Sequence, residues 1–202
     1  MTKEAVTISD EEEEKKRKRV AWGITGGGEQ LAETIEIMKK IKKQYENKVE
    51  LTVYLSKAGD QVLKYYKLAN TLKETFNKIR VEINANAPFL AGQLQAGKFE
   101  FLLIAPATSN TVAKISMGIT DSLLTNAAIM ALKGFTPIYI MPTDYKEGTV
   151  TTKLPDGRDF RIRIREEDVE NVKKLASMRD VFILEKPMDI NHVFKKHFGL
   201  EA

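Results

Sequence analysis

Cysteine is absent from all 202 residues. This excludes disulfides, a thiol nucleophile, thiolate-bound zinc and an iron–sulfur cluster of the chain's own. Histidine is nearly as scarce. His192 and His197 stand five apart, whereas a metal pair on one helical turn would sit three or four apart. Both are expected at the surface. No apolar run approaches the ~20 residues of a membrane span. The first residues lack the apolar core of a signal peptide, so the reading is of a cytoplasmic protein. Neither sign of charge dominates: 32 Lys and Arg face 28 Asp and Glu, for a net +4. The basic residues are interspersed with acidic ones, which does not indicate a nucleic-acid binder.

What is present suits one globular domain. Hydrophobic residues make up 43% and charged residues 30%, and 202 residues suffice for a full core. Residues 1–18 are set apart. Glu11 to Glu14 and Lys15 to Arg19 are charge without a core-forming pattern, which predicts a disordered charged tail followed by a single domain over 19–202.

Within that domain strands and helices alternate. Val20–Ile24, Val49–Leu55, Phe99–Ala105 and Phe135–Met141 are short apolar runs. Leu31, Ile35, Met38, Ile41 and Tyr45 mark one face of a helix. Ala58–Tyr66 and Leu68–Phe76 read as helices, Ile79–Ile83 as an edge-like strand, and Phe89–Ala96 as a short helical segment. The pattern predicts an α/β fold: a three-layer, doubly wound, mainly parallel sheet of the flavodoxin or Rossmann kind. Val150–Leu154, Pro155-Asp156-Gly157 and Phe160–Ile164 predict a β-hairpin extension over about 149–165. A helix over Glu166–Met178, a short strand over Val181–Leu184 and a helix over Asp189–Phe198 close the chain.

Two strand-to-helix turns carry chemistry. In Pro106-Ala107-Thr108-Ser109-Asn110-Thr111, a buried strand runs into a polar turn and then a helix. The free N–H groups and dipole of that helix, with neutral side-chain donors, suit a phosphate. The same residues also suit an ordinary N-cap. The second turn is Thr25-Gly26-Gly27-Gly28. It is not a P-loop, because Glu29-Gln30 follow where Lys and Ser or Thr would stand. It is not the dinucleotide fingerprint either, since Leu31 occupies the third glycine position and the second strand ends in Ser56-Lys57 rather than an acid. Its plain alternative is a tight turn. Gly23–Gly28, Ser56, Pro106–Thr111 and Pro142 all fall at strand carboxyl ends, where α/β sheets bind ligands, and this convergence favours a mononucleotide phosphate site. On the hairpin, Arg158, Arg161, Arg163 and Arg165 form a basic run, with the last three on one strand face. That pattern fits a solvated face first and a dock for an acidic partner second.

The stretch Gly23-Ile24-Thr25-Gly26, Ser56, and Pro106 through Ile115 with Gly118, Asp121, Leu123, Leu124 and Asn126 resembles the flavoprotein family of homo-oligomeric FMN-binding decarboxylases and flavin prenyltransferases. The likeness covers about Val20 to Pro142. Asn84-Ala85-Asn86-Ala87-Pro88-Phe89-Leu90 and the hairpin extend it toward archaeal flavoproteins that take electrons from ferredoxin or resemble dihydromethanopterin reductase. The resemblance implies FMN held by Gly23, Ile24, Thr25, Gly26, Ser56, Thr108, Ser109, Asn110 and Thr111, with Pro106 and Pro142 beside it. It also implies a homo-trimer or a multiple of three. Several family signatures are missing. Phe89-Leu90-Ala91-Gly92 holds no histidine where the peptidyl-cysteine decarboxylases place a catalytic one. Met141-Pro142-Thr143-Asp144 matches neither their Pro-Ala-Met-Asn segment nor the Pro-Arg-Glu type of the prenyltransferases. A flavin site without acid–base residues suits electron or hydride transfer. The reading is therefore an FMN oxidoreductase that accepts electrons from ferredoxin and passes them to an acceptor such as a pterin. A flavin prenyltransferase and a non-catalytic nucleotide-binding member are the alternatives.

Overall fold

The computed structural model describes residues 17–154 and 156–199. Residues 1–16 of the expected tail lie outside the described residues. The elements run β1 (Lys18–Ile24), α1 (Leu31–Gln44), β2 (Val49–Leu55), α2 (Lys57–Tyr65), α3 (Ala69–Thr75), β3 (Ile79–Val81), α4 (Ala91–Gln95), β4 (Phe101–Ala107), α5 (Ser109–Ser116), α6 (Leu123–Lys133), β5 (Ile138–Pro142), β6 (Gly148–Lys153), β7 (Asp159–Ile164), α7 (Glu166–Ala176), β8 (Val181–Ile183) and α8 (Asp189–Phe198). Strand β1 therefore begins at Lys18, inside the stretch read as tail, where Lys18 pairs with Val49.

Six strands form one sheet in the order β3-β2-β1-β4-β5-β8, and every neighbouring pair is parallel. Parallel strands need crossovers, and the helices supply them on both faces. One face packs against α1, α2, α3 and α8 through Met38, Leu63, Leu72 and Phe194. The other packs against α4, α5, α6 and α7 through Leu94, Val112, Ala127 and Leu175. Burial on both faces is why β1 from Val20 onward and β4 read as near-continuous apolar runs, whereas β2 alternates apolar and polar residues. Trp22 is fully buried in β1, and its indole N–H donates to the Ala105 carbonyl at 2.8 Å. The strand order reverses between β1 and β4, so a crevice opens at their carboxyl ends.

The hairpin of β6 and β7 is a separate two-stranded antiparallel sheet. Two expectations fail near the C-terminus. Arg165 does not continue the face of Arg161 and Arg163, because β7 ends at Ile164 and Arg165 becomes the N-cap of α7. There it donates to the buried Asp168 at 2.6 and 3.0 Å. His197 is not a surface residue. Ile190, Val193, Phe194 and Phe198 give α8 its buried face, and His197 lies along it with a side chain only 14% exposed. It meets the Tyr139 hydroxyl at 2.9 Å and Glu100 at 3.5 Å. Burial pushes its imidazole below the usual range, and Glu100 opposes the shift.

Candidate functional site: a cradle at the carboxyl ends of β1, β2, β4 and β5

The turn after β4 is shorter than the sequence suggests. Strand β4 runs through Pro106 to Ala107, because Ala107 pairs with Pro142 of β5 across a register shift. Thr108 alone separates strand from helix. It is the N-cap of α5, and its Oγ1 accepts the Thr111 N–H at 3.4 Å and meets the Thr111 hydroxyl at 3.1 Å. The Ser109 and Asn110 N–H groups at the start of α5 bond no other protein group among the described residues. These are the orphan donors that a helix start offers an anion. Asn110 is exposed, whereas Thr111 is buried.

Thr25 ties the second turn to the first. Its hydroxyl donates to the Pro106 carbonyl at 2.9 Å and accepts the Thr108 N–H at 2.9 Å, and its own N–H donates to Pro106 O at 3.2 Å. The glycines that follow are dictated by close approach. A Cβ on Gly27 would lie 2.7 Å from Thr143 Cγ2 and 3.5 Å from Pro106 Cβ, and one on Gly28 would strike the Tyr66 ring at 2.5 Å. The loop is thus wedged among Pro106, Thr143 and Tyr66. Ser56 caps α2, its hydroxyl accepting the Gly59 N–H at 2.9 Å, while its own N–H donates to Ile24 O at 3.0 Å. Gly59 must be glycine, since a Cβ there would sit 2.4 Å from the Ile24 carbonyl oxygen.

The sequence-derived residues divide into two groups. Thr25, Gly26, Ser56, Pro106, Thr108, Ser109, Asn110, Thr111 and Pro142 meet at one end of the sheet. Gly23 and Ile24 lie inside β1 and serve packing. A Cβ on Gly23 would lie 2.7 Å from Leu124 of α6, and the Ile24 side chain belongs to the core. Asn126 fastens the loop before α4, its amide donating to Ala85 O and Asn86 Oδ1 at 3.0 Å each. Lys114 pairs with Asp121 at 2.8 Å.

Glu82 is not singled out in the sequence, where Glu29 and Asp144 appear only as departures from known motifs and receive no role. The Glu82 carboxylate bridges two helix starts, accepting the Lys57 N–H at 3.0 Å and the Leu123 N–H at 2.8 Å. Anions belong at such starts, so α2 already holds its own negative charge while α5 keeps its donors open. Glu29 follows the glycine loop and Asp144 follows Thr143, whose hydroxyl donates to Asp144 at 2.9 Å. Burial pushes the Glu29 carboxyl above the usual range, and the nearby Asp144 charge adds to the shift. The stretch read as lacking acid–base groups therefore carries a carboxyl that holds its proton unusually well.

Among the described residues no group of three or more histidines, cysteines or carboxylates could hold a metal. No described helix is long and apolar enough to cross a membrane. The donor set is neutral and peptide-rich, lies at a topological switch point and fits a phosphate.

Comparison with known proteins gives that ligand a chemistry. The Flavoprotein family model matches residues 8–193. An uncharacterized protein of Methanocaldococcus jannaschii is 49% identical, over 91% of this chain and 97% of its own length. A dihydromethanopterin reductase (acceptor) of the same organism is 32% identical, over 87% of this chain and 95% of its own. Among solved structures, Burkholderia xenovorans DmrB in complex with FMN, described as a cubic protein cage for redox transfer, superimposes with a TM-score of 0.74 at 27% identity. That match covers 89% of this chain and 94% of DmrB. FMN is the cofactor, and the chain belongs to the Flavoprotein family.

Proposed function

We propose that this flavoprotein is an FMN-dependent oxidoreductase that accepts electrons from a ferredoxin-type carrier and delivers them to a dihydropterin. The carrying observation is the open helix start at Thr108–Thr111, tied to Thr25 through the Thr108 N–H, in a chain 32% identical to a dihydromethanopterin reductase. The N–H groups of Ser109 and Asn110, the hydroxyls of Thr108 and Thr111, and Ser56 would hold the phosphate. Gly26 and Gly27 let backbone, rather than side chains, line the approach. FMN, when bound, supplies transfer of one or two electrons. Reducing a dihydropterin to a tetrahydropterin consumes two electrons and two protons. Glu29, which keeps its proton to higher pH than an ordinary carboxyl, would hand one of them over from its carboxyl oxygen. With no cysteine, electrons must come from a separate carrier. No cysteine or histidine stands where peptidyl-cysteine decarboxylation would require one, so that chemistry is not assigned to this chain.

The test is flavin retention. Asn110→Ala with Thr111→Ala should lose bound FMN while circular dichroism shows an unchanged fold. Stoichiometric flavin in the folded double variant would contradict the assignment.

A further inference from the structure

A second polar concavity lies away from the cradle, on the sheet itself. Parallel sheets are normally covered on both faces. Here the half of one face formed by β2 and β3 has only the segment around Pro88, Phe89 and Gln93 above it, which leaves a cavity of about 380 Å³. By strand alternation Glu50, Thr52 and Tyr54 point to that face of β2. Arg19 reaches in from β1. Lys78 precedes β3, and Arg80 lies on it, in register with Tyr54.

Three cations thus surround one carboxylate, a local excess of two positive charges. Glu50 contacts Lys78 at 3.1 Å and Arg19 at 3.6 Å. Arg19 is further held by Gln93 at 3.1 Å and lies 4.3 Å over the Phe99 ring, so it is positioned rather than free to swing. Arg80 makes no ion pair among the described residues and is exposed. Thr52 is only 5% exposed and Tyr54 only 4%, yet neither hydroxyl has a hydrogen-bond partner among the described residues, and both line the cavity. Neither hydroxyl oxygen is itself buried; both open into the cavity, where an anion would take their hydrogen bonds in place of water. Burial pushes the Tyr54 phenol upward, with Arg19 and Arg80 opposing, so the hydroxyl remains a donor.

We infer that this cavity is a binding site for a phosphate-type dianion, free or carried on a small organic molecule, held by Arg19 and Arg80 and by the hydroxyls of Thr52 and Tyr54. Two guanidiniums supply planar paired donors. The cavity exceeds what a bare phosphate fills, and Phe89 offers an apolar wall for an organic remainder. The inference does not rest on the flavin reading, because none of these residues belongs to the cradle.

The test uses the full chain loaded with one equivalent of FMN and freed of unbound flavin, which is itself a phosphate monoester and would compete for the cavity. Inorganic phosphate and phenyl phosphate are titrated by calorimetry and by phosphorus NMR. Saturable binding is expected for both if phosphate alone is recognised, and tighter binding of phenyl phosphate if an organic phosphate is the occupant. Arg80→Ala should weaken binding at least about tenfold and Tyr54→Phe several-fold, with flavin content unchanged. Arg161→Ala on the hairpin should leave binding intact. Absence of saturable binding, or binding that neither Arg80→Ala nor Tyr54→Phe moves, would overturn the site. So would an Arg80→Glu variant that splits the assembly of a protein that binds no phosphate, since the cavity would then be a socket between subunits.

Discussion

At the scale of single residues, the cradle is built from groups that cannot be exchanged for near neighbours. Thr25 serves three hydrogen bonds with one residue, and Gly27 and Gly59 stand where any Cβ would meet another atom inside 3 Å. Glu29 is the residue with the most chemical consequence. Its carboxyl is raised first by burial and then by Asp144, so the folded state favours the protonated form. Its contribution to stability is fully present below the ordinary glutamate range and is lost as pH rises through the raised value. Glu29→Gln abolishes that loss. The variant should match the parent in melting temperature near about pH 4 and exceed it at neutral pH. Its turnover with a dihydropterin should fall by about 10²-fold, because the amide has no proton to give. Equal melting curves at both pH values, together with unchanged turnover, would remove Glu29 from the account.

At the scale of elements, the hairpin and the strand ends divide the labour. Two of its four arginines are engaged: Arg158 with Asp156 at 2.7 Å, and Arg165 with Asp168 at 2.6 Å. Arg161 and Arg163 are exposed, pair in register with Thr151 and Thr149, and make no ion pair among the described residues. We expect these two to steer an acidic electron carrier, an effect on encounter rate more than on affinity. Arg161→Glu with Arg163→Glu should slow flavin reduction by ferredoxin severalfold and flatten its dependence on ionic strength, with flavin content unchanged. A rate that neither salt nor the double substitution alters would leave the hairpin without this role. Most of this architecture was legible in sequence, because buried parallel strands and amphipathic helices write simple periods: β2 and α8 fall on the predicted boundaries. The failures have physical causes. Strand β4 outruns its apolar stretch because pairing with Pro142 carries it through Pro106. Arg165 leaves its face because a helix start beside Asp168 competes for it. Glu29 and Asp144 lie 115 positions apart, and only the fold brings their charges within reach of each other.

At the scale of the whole molecule, an uneven surface points to assembly. Val81 and Ile83, on and just after the edge strand β3, are 42% and 68% exposed, apolar surface that an assembly would cover. DmrB forms a cubic cage, and we expect this chain to form closed assemblies built on a three-fold axis. Light scattering at micromolar concentration should give a mass that is a multiple of three chains; a monomer or dimer would contradict it. Electron delivery through the flavin is tested by one anaerobic experiment. Reduced ferredoxin is mixed with the FMN-loaded protein, the flavin band near about 450 nm is followed, and dihydromethanopterin is then added. The band should bleach on mixing and return in proportion to the tetrahydromethanopterin formed. A flavin that NADH or NADPH reduces rapidly while ferredoxin does not, or a bleached flavin that dihydromethanopterin leaves bleached, would contradict this delivery.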